Sequence, residues 1–407
     1  MFASTAALRR EIEAALPARP FSLDFWDGTA LASTTGDGPA FHVRSPDALV
    51  HALRAPGQLG IGRAYVSGQL EVDDLDKAIE LLDGWRPPRL DRGARARLAL
   101  AALRAAGIRR PPPVPGAELR PSGRRHSRQR DARAVRHHYD LPAEFFALFL
   151  DESMTYSCAL FSRGAATLEE AQEAKLELVC GKLRLREGER VLDIGCGWGS
   201  FAIHAARTRG ARVLGITLSG PQAARARRHV AEAGLEDRVE IRVADYRELA
   251  EEPFDAVVSI GMVEHVGASQ IDRYARTIAR VLRPGGRVLN HGIARLRHGD
   301  PEAGPFSERY VFPDAAPLHL SRVILALERA GLETDHVEGF AEDYATTLTH
   351  WLTRFEDRLD EAVRLAGPER VRVWRLYLRA ARRGFRTGFT SVYQVRCRRP
   401  AQSDGAA

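Results

Sequence analysis

The stretch Val191–Ser200, VLDIGCGWGS, carries residue types suited to ligand chemistry. Its apolar start leads into Asp193 and then into Gly195, Gly197 and Gly199, and residues with helical apolar spacing follow. This pattern predicts a buried strand whose glycine-rich turn opens a helix. Glycines let the backbone approach a ligand, and the first N–H groups of a helix lack partners within it. The GxGxG spacing favours a nucleoside with an amino-acid tail, such as S-adenosylmethionine, over a pyrophosphate; an ordinary glycine-rich turn is the alternative.

Four further strand-like runs in this part of the chain also end near polar residues. They alternate with helical patterns and cover Val213–Thr217, Val239–Val243, Phe254–Ile260 and Arg287–Ile293. Strands that alternate with helices predict a doubly wound, mostly parallel sheet of the Rossmann-like α/β class. Ligands bind at the carboxyl ends of such strands, so one site is expected at that edge. The polar residues expected there are Asp193, Thr217, Asp245, Glu264 and His291.

The intervening segments predict the helices that position these strands. The predicted helices include Thr167–Leu183, Pro221–Ala233, Ile271–Leu282 and Ser321–Arg386. The first begins with a capping box, in which Thr167 and Glu170 each bond the backbone of the other. Phe389–Arg396 is expected to be the closing strand, and the aromatic-rich Met154–Phe161 is expected to be a loop or lid.

Residues 1–115 are expected to form a separate, smaller α+β domain. Phe21–Trp26 and Phe41–Val43 have strand patterns, whereas Asp91–Ile108 predicts a basic helix with apolar positions. That helix either lies on an anionic membrane or packs on its own domain as a plain surface helix. A stiff proline-rich stretch, Arg109–Pro115, leads into a basic linker over residues 116–137. The second domain is expected over residues 138–400.

The linker is rich in arginine and poor in acidic residues. Its cations include Arg124, Arg125, Arg128, Arg130, Arg133 and Arg136. Such a block is usually solvated, but it also suits the phosphates of lipid headgroups or nucleic acid. Nucleic-acid-binding proteins usually add aromatic stacking residues or a recognisable module, and neither is interleaved here. Lipid headgroups are therefore favoured, and no nucleic-acid partner is expected.

Length and composition agree with a two-domain protein that works in a reducing compartment. The chain has 407 residues and a net charge of +7. Its cysteines are scattered, with no CxxC pair and no metal-ligand spacing, so neither disulfides nor a metal site are expected. The N-terminal residues lack a signal-peptide core, and no run approaches the ~20 apolar residues of a membrane span. Any lipid must then be met at the membrane surface.

From His138 to Gln394 the chain resembles the cyclopropane-fatty-acid synthase family, which includes mycolic acid cyclopropane synthase-like enzymes and depends on S-adenosylmethionine. The motifs that carry this resemblance are HYDL at 138–141, MTYSCALF at 154–161, LDIGCGWG at 192–199, GITLSGPQ at 215–222, IGMVEHVG at 260–267, LRPGG at 282–286, HGI at 291–293, YVFP at 310–313 and DYATTLTHW at 343–351. Residues 1–115 resemble, more loosely, the lipid-handling domain of the longer bacterial members. That likeness is carried by FWDG at 25–28 and GIGRAYVSGQLEVDDL at 60–75.

The resemblance implies S-adenosylmethionine as the cofactor and a class I methyltransferase sheet. It assigns cofactor contacts to Tyr156, Ser157, Gly195, Gly197, Gly199, Thr217, Leu218, Gln222, Tyr246 and Arg247. Asp193 and Asp245 are added to the expected cofactor-binding residues because they lie at the ends of predicted strands. Many methyltransferases bind the ribose with an acid after the second strand. Here Thr217 and Leu218 stand at that place, so Gln222 is the expected ribose partner.

The resemblance also implies an unusual reaction on the cis double bond of a phospholipid acyl chain. The π electrons attack the sulfonium methyl, and bicarbonate then removes a proton from the resulting carbocation so that a cyclopropane ring closes. The bicarbonate site is assigned to Cys158, Glu264, His291, Ile293 and Tyr344. An anion in apolar surroundings needs hydrogen-bond donors. His291, Tyr344 and the backbone N–H groups of Cys158 and Ile293 are expected to donate, and Glu264 to accept from the bicarbonate hydroxyl.

Several alternatives stay open on the sequence. Cys158 could simply pack, His291 and Tyr344 could be structural, and Glu264 with His265 could be an acid/base pair or a metal ligand. Ala381 stands where many relatives have cysteine, which matters only if that cysteine is a nucleophile. The function of the whole chain also has alternatives, since the same first step could instead give a 10-methylene-branched chain. The other interpretations are a small-molecule N- or O-methyltransferase and an inactive lipid- or nucleic-acid-binding protein. The resemblance implies a homodimer, and a cytoplasmic protein at the inner membrane face is expected.

Overall fold

The computed structural model describes residues 4–119, 123, 127, 130, 133, 141–250, 252–297, 299, 304–315 and 317–401. The chain divides into two compact units. Unit one comprises Met1–Arg120, Gly304–Tyr310 and Ala366–Arg383, and unit two comprises the rest. These units differ from the contiguous domains expected at 1–115 and 138–400, because two segments from late in the chain pack with the N-terminal residues. Tyr310, for example, donates its hydroxyl to Glu118 at 3.0 Å within unit one.

Unit one is an α+β unit built on a four-stranded sheet. The strands are β1 (Ser22–Phe25), β2 (Ala30–Leu31), β3 (Ala40–Val43) and β4 (Leu70–Val72), in the order β2-β1-β3-β4. Strands β1 and β3 run parallel, and the other two pairs are antiparallel. The helices before residue 120 are α1 (Ala6–Ala15), α2 (Asp47–Arg54), α3 (Gln58–Val66), α4 (Leu75–Gly84) and α5 (Arg92–Ala106). Strands β2 and β4 were not predicted, because strands of two and three residues are too short to show a periodic pattern.

Helix α5 packs one face on this unit. Ala101, Ala102 and Ala105 are buried in the same apolar cluster as Phe25 and Val43. Asp91 caps the helix by accepting from the N–H of Ala94. The predicted helix is therefore present and packs one face on its own unit, while its opposite face is exposed, so a contact of that face with a membrane stays a prediction.

Unit two contains a seven-stranded sheet in the order β10-β11-β9-β8-β5-β6-β7. Its strands are β5 (Arg190–Ile194), β6 (Arg212–Thr217), β7 (Val239–Val243), β8 (Phe254–Ile260), β9 (Leu282–Arg295), β10 (Glu333–Gly339) and β11 (Thr390–Arg398). Pairs among β5 to β9 are parallel, whereas β11 runs antiparallel to both β9 and β10. The predicted doubly wound sheet is thus confirmed, with every predicted strand present.

Helices cover both faces of this sheet. The helices after residue 140 are α6 (Ala143–Ala147), α7 (Leu168–Leu183), α8 (Ser200–Arg209), α9 (Gly220–Glu232), α10 (Val263–Val266), α11 (Ile271–Val281), α12 (Pro305–Tyr310), α13 (Leu320–Arg329), α14 (Ala341–Glu356) and α15 (Leu359–Arg386). Helix α12 belongs to unit one, and α15, which is kinked at Gly367, contributes residues to both units. Two buried apolar clusters lie around the sheet and fix its strands. The capping box of α7 forms as predicted between Thr167 and Glu170.

The prediction of continuous helix over Ser321–Arg386 is wrong at Glu333–Gly339, which forms β10. This strand lies at the edge of the sheet and reads ETDHVEG, with alternately exposed and half-buried positions. An edge strand needs charged residues to avoid pairing with other chains, so it lacks the apolar pattern of an inner strand. Among the described residues, no helix is long and apolar enough to cross a membrane.

Candidate active site

The glycine-rich turn lies at the carboxyl end of β5, which is an inner strand between β8 and β6. Gly195, Gly197 and Gly199 have φ values of 83°, 55° and 91°, which residues with a side chain rarely adopt. The N–H of Gly195 donates to the carbonyl of Ile216 on β6 at 2.9 Å. Gly199 then begins α8. The turn therefore follows the predicted strand–turn–helix form, and its conformation depends on glycine.

A pocket opens beside this turn. Its lining includes the predicted residues Tyr156, Ser157, Asp193, Gly195, Gly197, Thr217, Leu218, Gln222 and Tyr246. Thr217 donates its hydroxyl to the side-chain oxygen of Gln222 at 2.8 Å, which fixes the Gln222 amide at the pocket wall. The structure thus brings most of the predicted cofactor residues together at one edge of the sheet.

The remaining predicted cofactor residues support the wall rather than line it. Gly199 holds the start of α8. Asp245 and Arg247 form a buried ion pair, with 2.6 Å between Asp245 Oδ2 and Arg247 Nη2. They flank Tyr246, which does line the pocket. Asp245 and Arg247 therefore position the loop that presents Tyr246.

Lys175 is a pocket residue that the sequence did not reveal. It lies on α7, is 2% exposed, and donates from Nζ to Oγ of Ser157 at 2.9 Å. Burial lowers the pKa of Lys175 to about 8. Burial also raises the pKa of Asp193 to about 7, while the charge of Lys175 opposes that rise. The rarity of lysine in an arginine-rich chain was the available signal, since Lys175 is one of only three lysines.

Glu264 lies just beyond β8, on α10, and is held by the neighbouring strand. Its Oε1 accepts the backbone N–H of Ile293 at 2.6 Å, while Oε2 has no hydrogen-bond partner in the described part of the chain. Burial raises the pKa of Glu264 to about 7, and the Ile293 bond works against that rise. The expectation that the Ile293 N–H is open to an anion is therefore corrected, because this group is already engaged by Glu264.

His291 lies on β9, two residues before Ile293, so both side chains point to the same face of the sheet. Its Nδ1 lies 3.1 Å from Nε2 of Gln394. Its Nε2 is buried and has no partner within the residues that the structure describes. Burial lowers the pKa of His291 to about 3, with smaller effects from Lys175 and Lys182. The imidazole is therefore neutral at physiological pH.

Cys158 and Tyr344 meet at Phe340. The Cys158 thiol and the Tyr344 backbone N–H both donate to the Phe340 carbonyl, at 3.7 and 3.0 Å. The Phe340 ring lies nearly parallel to His291, with 6.5 Å between ring centroids. Desolvation by burial raises the pKa of the Cys158 thiol, so the thiol stays protonated. The structure thus joins Glu264 to Ile293 and places Cys158 and His291 against Phe340, whereas the Tyr344 ring packs on Trp351 and Phe385.

This cluster adjoins the pocket through two short segments of chain. Tyr156 and Ser157 line the pocket, and Cys158 follows them directly. Met262 and His265 also line the pocket, and they bracket Glu264. Within the described ranges, no group of three or more His, Cys, Asp or Glu side chains could hold a metal ion. All four cysteines are buried and free.

Comparison with known proteins relates this arrangement to a family. A family model described as mycolic acid cyclopropane synthetase matches residues 126–395. A probable fatty acid methyltransferase of Mycobacterium tuberculosis is 38% identical over 406 residues, covering 95% of this chain and 92% of the relative. The cyclopropane-fatty-acyl-phospholipid synthase of Escherichia coli is 33% identical over 362 residues, or 88% of each chain.

A solved structure extends the likeness to the fold. The mycolic acid cyclopropane synthase CmaA1, complexed with SAH and CTAB, has a TM-score of 0.62 and 33% identity. The match covers 66% of this chain and 98% of that one. The predicted class I methyltransferase sheet is therefore confirmed.

Proposed function

The chain belongs to the mycolic acid cyclopropane synthetase family, and we propose that it transfers a methyl group from S-adenosylmethionine to a cis double bond in a phospholipid acyl chain, producing a cyclopropane fatty acid. One observation carries the proposal. Two buried polar atoms without partners among the described residues, Glu264 Oε2 and His291 Nε2, lie on adjoining elements next to a pocket with a glycine-rich turn. An unpartnered buried polar atom is costly unless a ligand satisfies it.

The pocket residues fit S-adenosylmethionine. Its methionyl end carries both an ammonium and a carboxylate, and the pocket offers Asp193 and Lys175, of opposite charge. Asp193 Oδ2 has no partner within the described ranges, so it can accept from an ammonium group. Thr217 and Gln222 offer polar atoms for a ribose, and Tyr246 offers a ring for a base. When bound, the cofactor supplies an electrophilic methyl group.

The second group of residues fits a bicarbonate ion, which would supply the base for the final deprotonation. A bicarbonate has one hydroxyl to donate and oxygens that accept. Glu264 Oε2 can accept the hydroxyl, and a proton on His291 Nε2 can be donated. The Ile293 N–H acts indirectly, by fixing the Glu264 carboxyl. A base held near the reacting carbon acts by position as much as by its pKa.

Aromatic side chains form the apolar surroundings that an olefin requires. Tyr156 of the pocket packs on Trp351, with 5.2 Å between centroids. Trp351 in turn meets the ring of Tyr344 at 6.1 Å, and Tyr344 meets Phe385 at 4.5 Å. Faces of aromatic rings also stabilise a cation, as a carbocation would need. This row of rings supports an acyl chain as the substrate.

Helix α5 of unit one supports a membrane as the place of encounter. Its outward face exposes Leu100 and Leu103, which are 46% and 59% exposed. Arg104, one helical turn after Leu100, is exposed as well, and so is Arg95, five residues before Leu100. An apolar ridge between arginines suits an anionic lipid surface, since arginine stems can lie along acyl chains while their heads meet phosphates. We therefore propose a lipid surface, not nucleic acid, as the partner, and a peripheral location at the inner membrane face. A homodimer stays a prediction.

Most of the basic linker lies outside the described residues. Arg124, Arg125, Arg128 and Arg136 lie outside the described residues, as does most of HYDL at 138–141. Arg130 forms a bidentate ion pair with Asp314 in unit two, at 2.5 and 2.6 Å. At least this arginine therefore has a structural partner, and the lipid proposal depends on α5.

A product analysis tests the proposal. Methyl-labelled S-adenosylmethionine would be incubated with the protein and vesicles of unsaturated phospholipid, and the released fatty acids examined by mass spectrometry and NMR. Ring-proton signals in labelled lipid are expected. Absence of label in lipid, with SAH binding intact, would refute the proposed activity.

A methyl-branched product is the second candidate. The relative with 38% identity is named a probable fatty acid methyltransferase, with no ring in its name. The same first step, followed by a hydride shift and loss of a proton from carbon, gives a 10-methylene chain. Exocyclic alkene signals in the same experiment would support this product.

A further inference from the structure

We propose that Gln394, oriented by Lys182, fixes the proton of His291 on Nε2 and so keeps a permanent neutral N–H donor at the anion site. Gln394 and Lys182 are thereby positioning residues for the catalytic group. The claim about the proton stands on the hydrogen bonds of this chain, whereas its value for turnover rests on the proposed function.

The register of the sheet places the glutamine and the histidine side by side. Gln394 on β11 lies directly opposite His291 on β9, in an antiparallel pair. Opposite residues share a face of the sheet, so their side chains meet. Both are buried, at 1% and 2% exposure, and Gln394 Nε2 lies 3.1 Å from His291 Nδ1. Water cannot easily replace this bond.

Lys182 decides which end of the amide faces the histidine. Its Nζ lies 2.6 Å from Oε1 of Gln394. A lysine ammonium can only donate hydrogen bonds, so the amide oxygen must face Lys182 and the NH₂ group must face His291. Lys182 is itself held by Glu338, with 2.5 Å between Nζ and Oε2. Turning the amide round would place its NH₂ against the ammonium.

The orientation of the amide sets the tautomer of the imidazole. Because the NH₂ of Gln394 donates, Nδ1 of His291 must accept and carries no proton. A neutral imidazole has one ring proton, which then lies on Nε2. Protonation of Nδ1 would set two N–H groups against each other, so the charged form is opposed too. The other tautomer would aim a lone pair, instead of an N–H, at a bound anion.

Nitrogen NMR reads the tautomer directly. We would label the full-length protein with ¹⁵N-histidine and assign the His291 signals by their loss in His291→Asn. Across pH 6–8, Nδ1 is expected to resonate as an unprotonated acceptor and Nε2 as a protonated nitrogen. A protonated Nδ1 in the unmodified protein would overturn the inference, whatever the activity.

Two substitutions test the chain of contacts. In Gln394→Glu, the carboxylate pairs with Lys182 and needs a donor at its other oxygen, so Nδ1 is expected to become protonated. In Lys182→Met, the amide loses the group that orients it, so the Nδ1 signal is expected to shift toward a mixture. Lys77→Met removes an exposed lysine of unit one and should change nothing.

Kinetics separate a positioning role from a structural one. Gln394→Glu should lower kcat by about 10- to 100-fold, by analogy with metal-bound histidines that lose an orienting partner, with KM for S-adenosylmethionine nearly unchanged. If Gln394→Glu moves the proton but turnover stays normal, the positioning role is refuted. If the unmodified protein shows the expected nitrogen signals but methylates no lipid, the proposed function fails while the assigned tautomer stands.

Discussion

The backbone N–H of Ile293 holds one oxygen of Glu264 at 2.6 Å and leaves the other oxygen without a partner among the described residues. The carboxyl is thus fixed in position by a strand rather than by a flexible side chain. Its second oxygen is buried and is the one available to the proposed anion. The roles of the two oxygens can therefore be tested separately.

Replacing Glu264 with glutamine should remove activity without removing cofactor binding. The introduced amide would keep an oxygen for the Ile293 N–H, but its NH₂ cannot accept the hydroxyl of a bicarbonate. We expect kcat to fall by about 100-fold or more. Calorimetric titration with SAH should give a dissociation constant within about twofold of the unmodified protein. Equal loss of SAH binding would contradict the assigned role, and Glu252→Gln, at an exposed carboxyl, is the control.

The same substitution should stabilise the fold, and more so at high pH. The carboxyl has a pKa near 4.5 in the unfolded chain and about 7 in the folded one. Since the folded state binds the proton more tightly, the unmodified protein loses stability as pH rises from 4.5 to 7 and does not regain it above. Glu264→Gln removes this loss.

Urea unfolding of both proteins at two pH values measures the effect. At pH 8, Glu264→Gln should be more stable by about 3 kcal/mol, and at pH 5 by less than about 1 kcal/mol. A stability difference that is the same at both pH values would show that the carboxyl is not destabilised by burial.

Much of this arrangement could be predicted from sequence because it depends on local pattern. The apolar runs of β5 to β9, the glycines of the turn and the Thr167 capping box each specify their own conformation. The position of the site at the carboxyl edge of the sheet follows from these strands, since parallel strands end at the same edge. Residue identity alone cannot give contacts between distant segments, however. The engagement of the Ile293 N–H by Glu264 depends on how α10 packs against β9.

Other features of the structure could not be predicted from the sequence, for physical reasons that differ from one feature to the next. Strand β10 is an edge strand with charged residues, so its pattern does not distinguish it from a polar helix. Lys175 resembles any lysine of an amphipathic helix until the fold buries it beside Asp193. Ala381 lies half-buried on α15, and nothing in its surroundings gives it a role.

Lys175→Met should weaken cofactor binding. The substitution keeps an unbranched side chain of similar length but removes the only cation that touches Ser157 among the described contacts. It also leaves Asp193 without a neighbouring positive charge. We expect the dissociation constant for S-adenosylmethionine to rise by at least about tenfold, since a lost bond to a charged group costs about 1.5–3 kcal/mol. Lys77→Met is the matched control, and equal affinities for both variants would contradict the role.

Gly292→Ala should displace Glu264. A Cβ at this position would lie 2.2 Å from Cγ1 of Val263, so the Val263 side chain or the backbone next to it must shift. We expect a loss of about 1–3 kcal/mol in the free energy of unfolding, as for other overpacked positions. Turnover should fall as well, because Val263 adjoins Glu264.

Gly181→Ala provides the comparison. That glycine lies on α7, and a Cβ there meets nothing within 4 Å. Alanine favours helix over glycine, so the free energy of unfolding should rise by up to about 1 kcal/mol. If Gly292→Ala behaves like Gly181→Ala, the close contact between β9 and α10 is absent in solution.

The exposed face of α5 should govern binding to anionic vesicles. Leu100→Asn with Leu103→Asn removes two apolar side chains that are exposed in unit one, so folding should be little changed. Flotation with vesicles containing phosphatidylglycerol should show weaker binding, by about 1 kcal/mol or more for each side chain removed from the lipid. Arg95→Gln with Arg104→Gln should weaken binding chiefly at low salt, because screening already reduces their attraction at high salt. Leu82→Asn, at a leucine of α4 that is 57% exposed, is the control. Equal losses from Leu82→Asn and from the α5 substitutions would show that exposed leucine in general, rather than this arginine-flanked ridge, meets the membrane.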